Sequence, residues 1–299
     1  MKAIGYKENL DIENENSLQD IELETPKAQG RDILVEVKAI SVNPVDYKVR
    51  SGMKAEGDKW KVIGWDATGI VKEVGEDVSL FKVGDKVWYA GDFTRQGSNA
   101  EYQLVDERIV GNKPSNLSYA EAAALPLTTL TAWELLFDRL QVSKDDDSKS
   151  ILIIGAAGGV GSIMVQLAKQ LTKLNIIGTA SREETTSWLQ DLGVYTVLNH
   201  KHKLSEELEK HNLPAPDYVV SLNGTEHHID EIVKLIKPQG KFGFIDDPKS
   251  LDVMPFKSKA VSTHFEFMFT RSMFQTEDMI EQHHILNKVS DLIDNTIAF

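Results

Sequence analysis

Ser150 to Ser162 reads S-I-L-I-I-G-A-A-G-G-V-G-S, an unbroken apolar strand that runs into a glycine-rich turn, and Ile163 to Leu171 continues as a helix former. Gly155, Gly158 and Gly161 lack a Cβ. The first permits the tight turn, the second lets backbone approach a pyrophosphate, and the third lets helix pack close to strand. Phosphates then rest on the free N–H groups and positive dipole end of the new helix. A strand before and a helix after give the glycine spacing its meaning as a dinucleotide site. Gly155, Ala157, Gly158, Gly159, Val160 and Gly161 are therefore the expected cradle.

From Ser150 onward apolar runs at Ile151 to Ile154, Asn175 to Gly178, Tyr195 to Leu198, Tyr218 to Leu222 and Phe242 to Ile245 alternate with helical stretches. Continuous apolar strands are covered on both faces, so the expectation is α/β, a doubly wound parallel sheet. After Pro248 that rhythm stops. His264 to Phe274 reads as core or interface packing, and a helix from about Thr276 to Asp294 is expected to pack back on the first domain.

Upstream of Ser150 the pattern differs. Ile33, Val35, Val37 and Ala39 alternate with Leu34, Glu36 and Lys38, and short strands at Ile70-Val71, Val78 to Val83 and Lys86 to Tyr89 are punctuated by glycines. This predicts a small, bent antiparallel barrel. Ser118 and Glu121 form a capping box that opens a helix at about Tyr119. The expected division is 1–118 with 265–299, and 119–264.

The 299 residues carry a formal net charge of -13 and no cysteine. An acidic chain lacks the electrostatic footprint of a nucleic-acid or anionic-lipid binder, so neither partner is expected. Absent cysteine removes disulfides, thiolate catalysis and every zinc site that uses sulfur. With no secretory h-region and no apolar run of membrane-spanning length, a soluble cytoplasmic protein is expected.

Ser41-Val42-Asn43-Pro44-Val45-Asp46-Tyr47, Gly64-Trp65-Asp66 followed by Gly69, Val74 to Val87, Leu125-Pro126-Leu127-Thr128 with Thr131-Ala132-Trp133, and the glycine loop occur in an order that resembles the medium-chain dehydrogenase/reductase superfamily, in its zinc-free quinone oxidoreductase branch. The resemblance implies a GroES-like β-barrel domain, a Rossmann domain, an active site in the cleft between them and a homodimer formed through the Rossmann sheet. Zinc-dependent relatives place a cysteine ligand where this chain has Asn43 and a Gly-His-Glu triplet where it has Gly64-Trp65-Asp66, and Leu125 to Trp133 offers no third ligand. No metal is expected. Relatives run several tens of residues past the equivalent of Asn295, with strands that rejoin the barrel, so the resemblance implies an exposed barrel edge here.

At the tip of the second Rossmann strand an NAD-specific site carries an acidic side chain. Ala180, Ser181 and Arg182 stand there instead, and Arg182 suits a 2′-phosphate, so NADPH is the expected cofactor. Ser181 with Glu184 also reads as a capping box for the next helix. His200 stands where relatives often carry a phosphate-contacting tyrosine. Ser221, Asn223, Phe244 and Ile245 lie on the loops after the fourth and fifth strands, where backbone groups would hold the nicotinamide carboxamide. Without a metal to polarise a carbonyl, the favoured acceptor is a small, flat electrophile, a quinone or an α,β-unsaturated carbonyl. Asn43, Asp46, Tyr47, Lys48 and Thr128 are expected to line its site, with Tyr47 or Lys48 offering a proton. Asp46 reads equally as holding its loop. Trp65 and Phe93 are candidates to stack on the substrate. The competing reading is a nucleotide-binding redox sensor or crystallin-like protein with little turnover.

Overall fold

The computed structural model describes residues 1–295. It divides into two compact units, Met1–Leu130 with the chain from Met268 onward, and Thr131–Phe267.

The first unit contains β1 (Lys2–Tyr6), β2 (Gln19–Glu22), β3 (Asp32–Ile40), α1 (Pro44–Gly52), β4 (Lys61–Val62), β5 (Ala67–Val74), β6 (Lys86–Tyr89), β7 (Tyr102–Asp106), β8 (Val110–Asn112), α2 (Tyr119–Ala123) and most of α3 (Pro126–Trp133). Two antiparallel sheets result, β7-β3-β5-β6-β8 and β2-β1-β4. The β3–β5 register slips between Leu34 and Val35 and again between Val37 and Ala39. Such bulges bend a strand, which is how one long strand curves around a small core. Ile33, Val35, Val71, Val87, Val105 and Val110 fill that core.

Val78 to Val83 is not a strand. The Ser79 and Leu80 N–H groups donate to Glu107 Oε2 at 2.9 and 2.7 Å, and Phe81 is buried in the core. A buried carboxylate thus replaces the ladder partners a strand would have needed.

In the second unit the strands are β9 (Ser150–Ile154), β10 (Asn175–Thr179), β11 (Thr196–Leu198), β12 (Tyr218–Ser221), β13 (Lys241–Phe244) and β14 (Ser262–Phe265). The helices are α4 (Gly159–Leu171), α5 (Glu183–Asp191), α6 (Leu204–Lys210) and α7 (Thr225–Leu235). All strand pairs are parallel, in the order β11-β10-β9-β12-β13-β14. Chain order therefore reads 3-2-1-4-5-6, the doubly wound arrangement whose direction reverses at β9.

The α/β rhythm does not stop at Pro248, because β14 adds a sixth strand on β13. As an edge strand it has one sheet neighbour, and its sequence Ser262-Thr263-His264-Phe265 lacks the continuous apolar signal of the buried strands. Residues 265–267 accordingly belong with the second unit. Residues 119–130 belong with the first, where α2 packs on β3, β5 and β6.

Beyond Met268 come α8 (Thr270–Phe274) and α9 (Glu281–Asn295). α9 starts later than the expected Thr276, since Thr276 and Asp278 form a turn whose carboxylate Arg271 grips at 3.0 Å. It packs against β8 as expected: Asn112 N–H donates to Asn287 Oδ1 at 2.8 Å, and Asp294 accepts from the Ser115 and Asn116 N–H groups. Among the described residues no helix is long and apolar enough to cross a membrane.

Candidate functional site

Because the sheet of the second unit is all parallel, every strand delivers its following loop to one edge. Gly155 to Gly161 follows β9, Ser181 and Arg182 follow β10, His200 follows β11, Asn223 follows β12 and Ile245 follows β13, while Ser221 and Phe244 close their strands. The expected nucleotide residues therefore share the carboxyl edge, around the reversal at β9.

The glycine loop is built for close approach. Gly155 has a φ of 82°, in the left-handed region that favours glycine. A Cβ on Gly161 would meet Ala156 O at 2.4 Å, so α4 could not pack as it does with any larger residue. Gly158 is the N-cap of α4, where no side chain satisfies the first N–H groups. Those donors, backed by 13 residues of aligned dipole, fit the pyrophosphate of a dinucleotide.

Arg182, not Ser181, is the N-cap of α5, and no side chain caps that helix. The expected Ser181–Glu184 capping box does not form. Instead Thr185 Oγ1 and Thr186 Oγ1 donate to Arg182 O, each at 3.0 Å, and the Arg182 side chain is exposed. His200 Nδ1 lies 3.2 Å from Thr179 Oγ1, which in turn accepts the Gly155 N–H at 3.1 Å. This contact ties the third strand's loop to the glycine turn, and partial burial lowers the His200 pKa and favours the neutral ring.

Two of the remaining candidates are committed to structure. The Ser221 hydroxyl is hydrogen-bonded to Thr225 Oγ1 at 2.8 Å, and Phe244 packs its ring on Phe242 while its carbonyl accepts the Glu266 N–H. Asn223 is exposed and precedes Gly224, whose φ of 66° makes a turn into α7. Asp246, in the loop after β13, accepts both the N–H and the hydroxyl of Thr225.

In the first unit, Asn43-Pro44 turns out to be a helix start, with Asn43 as N-cap and proline in the first turn of α1. That signal was available in the sequence. The Asn43 N–H donates to Asp46 Oδ2 at 2.7 Å, so Asp46 holds the loop and caps the helix, and burial raises its pKa. Asn43 Nδ2 donates to Asp66 Oδ2 at 2.7 Å, and Asp66 Oδ1 accepts the Leu127 N–H at 2.8 Å. Asp66 thus joins the loop before α1 to the first turn of α3. It is fully buried, and desolvation lifts its pKa well above the usual carboxylate range against the pull of those hydrogen bonds.

Thr128 is buried and donates its hydroxyl to Leu125 O at 3.0 Å. Tyr47 and Lys48 stand on the exposed face of α1, Tyr47 at 60 % exposure. Trp65 is a core residue, 1 % exposed, and Phe93 packs edge-on against Phe269 at 5.2 Å. Neither placement is that of an open stacking platform.

The two halves match known families in the same order. Residues 29–132 match the alcohol dehydrogenase GroES-like domain, and residues 159–282 match the zinc-binding dehydrogenase domain. A Staphylococcus epidermidis zinc-type alcohol dehydrogenase-like protein is 40% identical over 98% of this chain and 88% of its own length. The 2-methylene-furan-3-one reductase of Solanum lycopersicum is 35% identical over 72% of this chain and 55% of its own. A crystal structure of a zinc-dependent alcohol dehydrogenase-type protein from Rhizobium etli superposes with a TM-score of 0.95 at 56% identity, covering 98% of this chain and 86% of that one.

The zinc in those names does not suit the residues here. Asn43 and Trp65 stand at the two ligand positions, the Asn43 amide is already bonded to Asp66, and among the described residues no group of three or more histidines and carboxylates could hold a metal ion. The glycine loop, by contrast, fits a pyridine dinucleotide. The chain belongs to the medium-chain dehydrogenase/reductase superfamily.

Proposed function

We propose that this chain is an NADPH-dependent, metal-independent oxidoreductase that transfers hydride to a quinone or an α,β-unsaturated carbonyl. The observation that carries this reading is the pairing of an intact dinucleotide edge with a metal position closed by the Asn43–Asp66 hydrogen bond. NADPH, held by Gly155 to Gly161 with Arg182 on its 2′-phosphate, supplies the hydride when bound.

An acceptor that meets no metal must bring its own activation. A conjugated acceptor does so by delocalising the negative charge that arrives with the hydride, and a single proton then completes the reduction. Tyr47 and Lys48, exposed on α1, are the proton donors within reach of solvent-borne substrate. Asp46 and Asp66 keep α1 and Asn43 in place, and Thr128, whose proton is engaged by Leu125 O, presents only acceptor lone pairs. The similarity to a reductase whose name gives a conjugated methylene ketone supports the acceptor class.

The test is oxidation of NADPH by 1,4-benzoquinone and 9,10-phenanthrenequinone, with and without EDTA. Turnover indifferent to EDTA is expected. Activity lost to the chelator would overturn the metal-independent reading, and no turnover across a broad acceptor panel would favour a nucleotide-binding role without catalysis.

A further inference from the structure

Trp188 is nearly half exposed, which is unusual for the largest apolar side chain, and its one polar atom is fixed: Nε1 donates to Ser162 Oγ at 2.9 Å. Ser162 lies in the first turn of α4, immediately after the glycine loop. An indole tethered there has a set position and little rotamer freedom left to lose when a ligand binds.

Beside it is a cavity of about 450 Å³. Ala157 of the glycine loop, Arg182 at the start of α5, and Glu184, Thr185, Trp188 and Asp191 along α5 line it. Arg182 offers a phosphate one guanidinium, while the carboxylates of Glu184 and Asp191 make the rest of the cavity unsuited to an anion. That part suits a neutral, flat, nitrogen-rich ring whose amino group donates to a carboxylate and whose face meets the indole.

We propose that Trp188, anchored by Ser162, is the stacking wall for the adenine ring, and that Arg182 at the same cavity takes the 2′-phosphate. This rests on the NADPH reading for the identity of the nucleotide, and it adds a division of labour: Trp188 provides affinity common to all adenine nucleotides, whereas Arg182 provides discrimination. Base stacking tolerates substitution elsewhere on the ligand because it needs only a π face.

Calorimetric titration with adenosine 2′,5′-bisphosphate and with adenosine 5′-monophosphate tests it without turnover. Trp188→Ala is expected to weaken both ligands by about tenfold. Ser162→Ala, which releases the tether, weakens both by a smaller factor, and Arg182→Ala weakens the bisphosphate alone. Because Trp188 is a surface residue, an unchanged melting temperature in Trp188→Ala confirms that the loss is local. Unchanged affinity for both ligands in Trp188→Ala, with the fold intact, overturns the proposal. Equal affinity of the wild type for the two ligands would sink the NADPH reading, while a parallel loss in Trp188→Ala would still support the stacking wall.

Discussion

Asn43 Nδ2 donates to Asp66 Oδ2 across 2.7 Å, in a part of the fold where zinc-dependent relatives place metal ligands. The bond has the effect of a crosslink, because Asp66 also holds the Leu127 N–H and so connects α1 to α3. Asp66→Ala removes the carboxylate that accepts from both Asn43 and Leu127. A loss of about 1–3 kcal/mol is expected, read as a lower urea midpoint with an unchanged slope; a variant as stable as the wild type would remove Asp66 from this role.

Gly161→Ala places a methyl group 2.4 Å from Ala156 O. The strand–helix junction must open to admit it, at about 1–3 kcal/mol by the general cost of overpacking. Both the melting temperature and the affinity for NADPH are expected to fall. Retention of full nucleotide affinity would show that α4 can shift without disturbing the cradle.

Among the described residues Arg182 is the only cation lining the cavity beside the glycine loop. Arg182→Ala should reduce the ratio of catalytic efficiencies for NADPH over NADH by about tenfold or more, the size of one charge-assisted hydrogen bond. A preserved ratio would assign the discrimination elsewhere.

Tyr47→Phe and Lys48→Met separate the two exposed groups on α1. Loss of a positioned proton donor lowers kcat by roughly 10²–10⁴-fold, so the variant that shows this drop identifies the donor. Normal kcat in both would mean that solvent protonates the product.

Glu266 and Glu134 have fully buried side chains, with Arg139 Nε 2.9 Å from Glu266 Oε2. Burial and the neighbouring Glu134 push the Glu266 pKa up to about 9. The folded state then holds a proton that the unfolded chain releases near the ordinary glutamate value. Its stabilising contribution is complete below that value and is lost as pH rises toward about 9. Melting temperature should therefore decline over that window, and Glu266→Gln should flatten the decline. An identical pH profile in the variant would show that the pair does not titrate.

Much of this was legible in the chain because the relevant signals are local. A strand–glycine–helix transition needs only adjacent residues, and five continuous apolar runs announced a parallel sheet. The signals that failed were those where a distant partner overrides local pattern. Val78 to Val83 looked like a strand, but Glu107 captured its N–H groups. The Ser181–Glu184 capping box was plausible locally, yet α5 starts after an Arg182 N-cap instead. β14 was missed because a strand on the sheet edge has less need of apolar residues.

Residue type and short-range periodicity were enough to place the nucleotide loop, the parallel order of strands and helices, and the loss of zinc ligands. Tertiary structure alone decided which polar groups remain available for chemistry. Asn43, Asp46 and Thr128 each satisfy a buried hydrogen bond set by loop and helix packing, whereas Trp188 becomes a candidate only when α5 lies against α4. The physical reason is that hydrogen-bond partners and exposure are properties of residues far apart in the chain, fixed only when the elements pack.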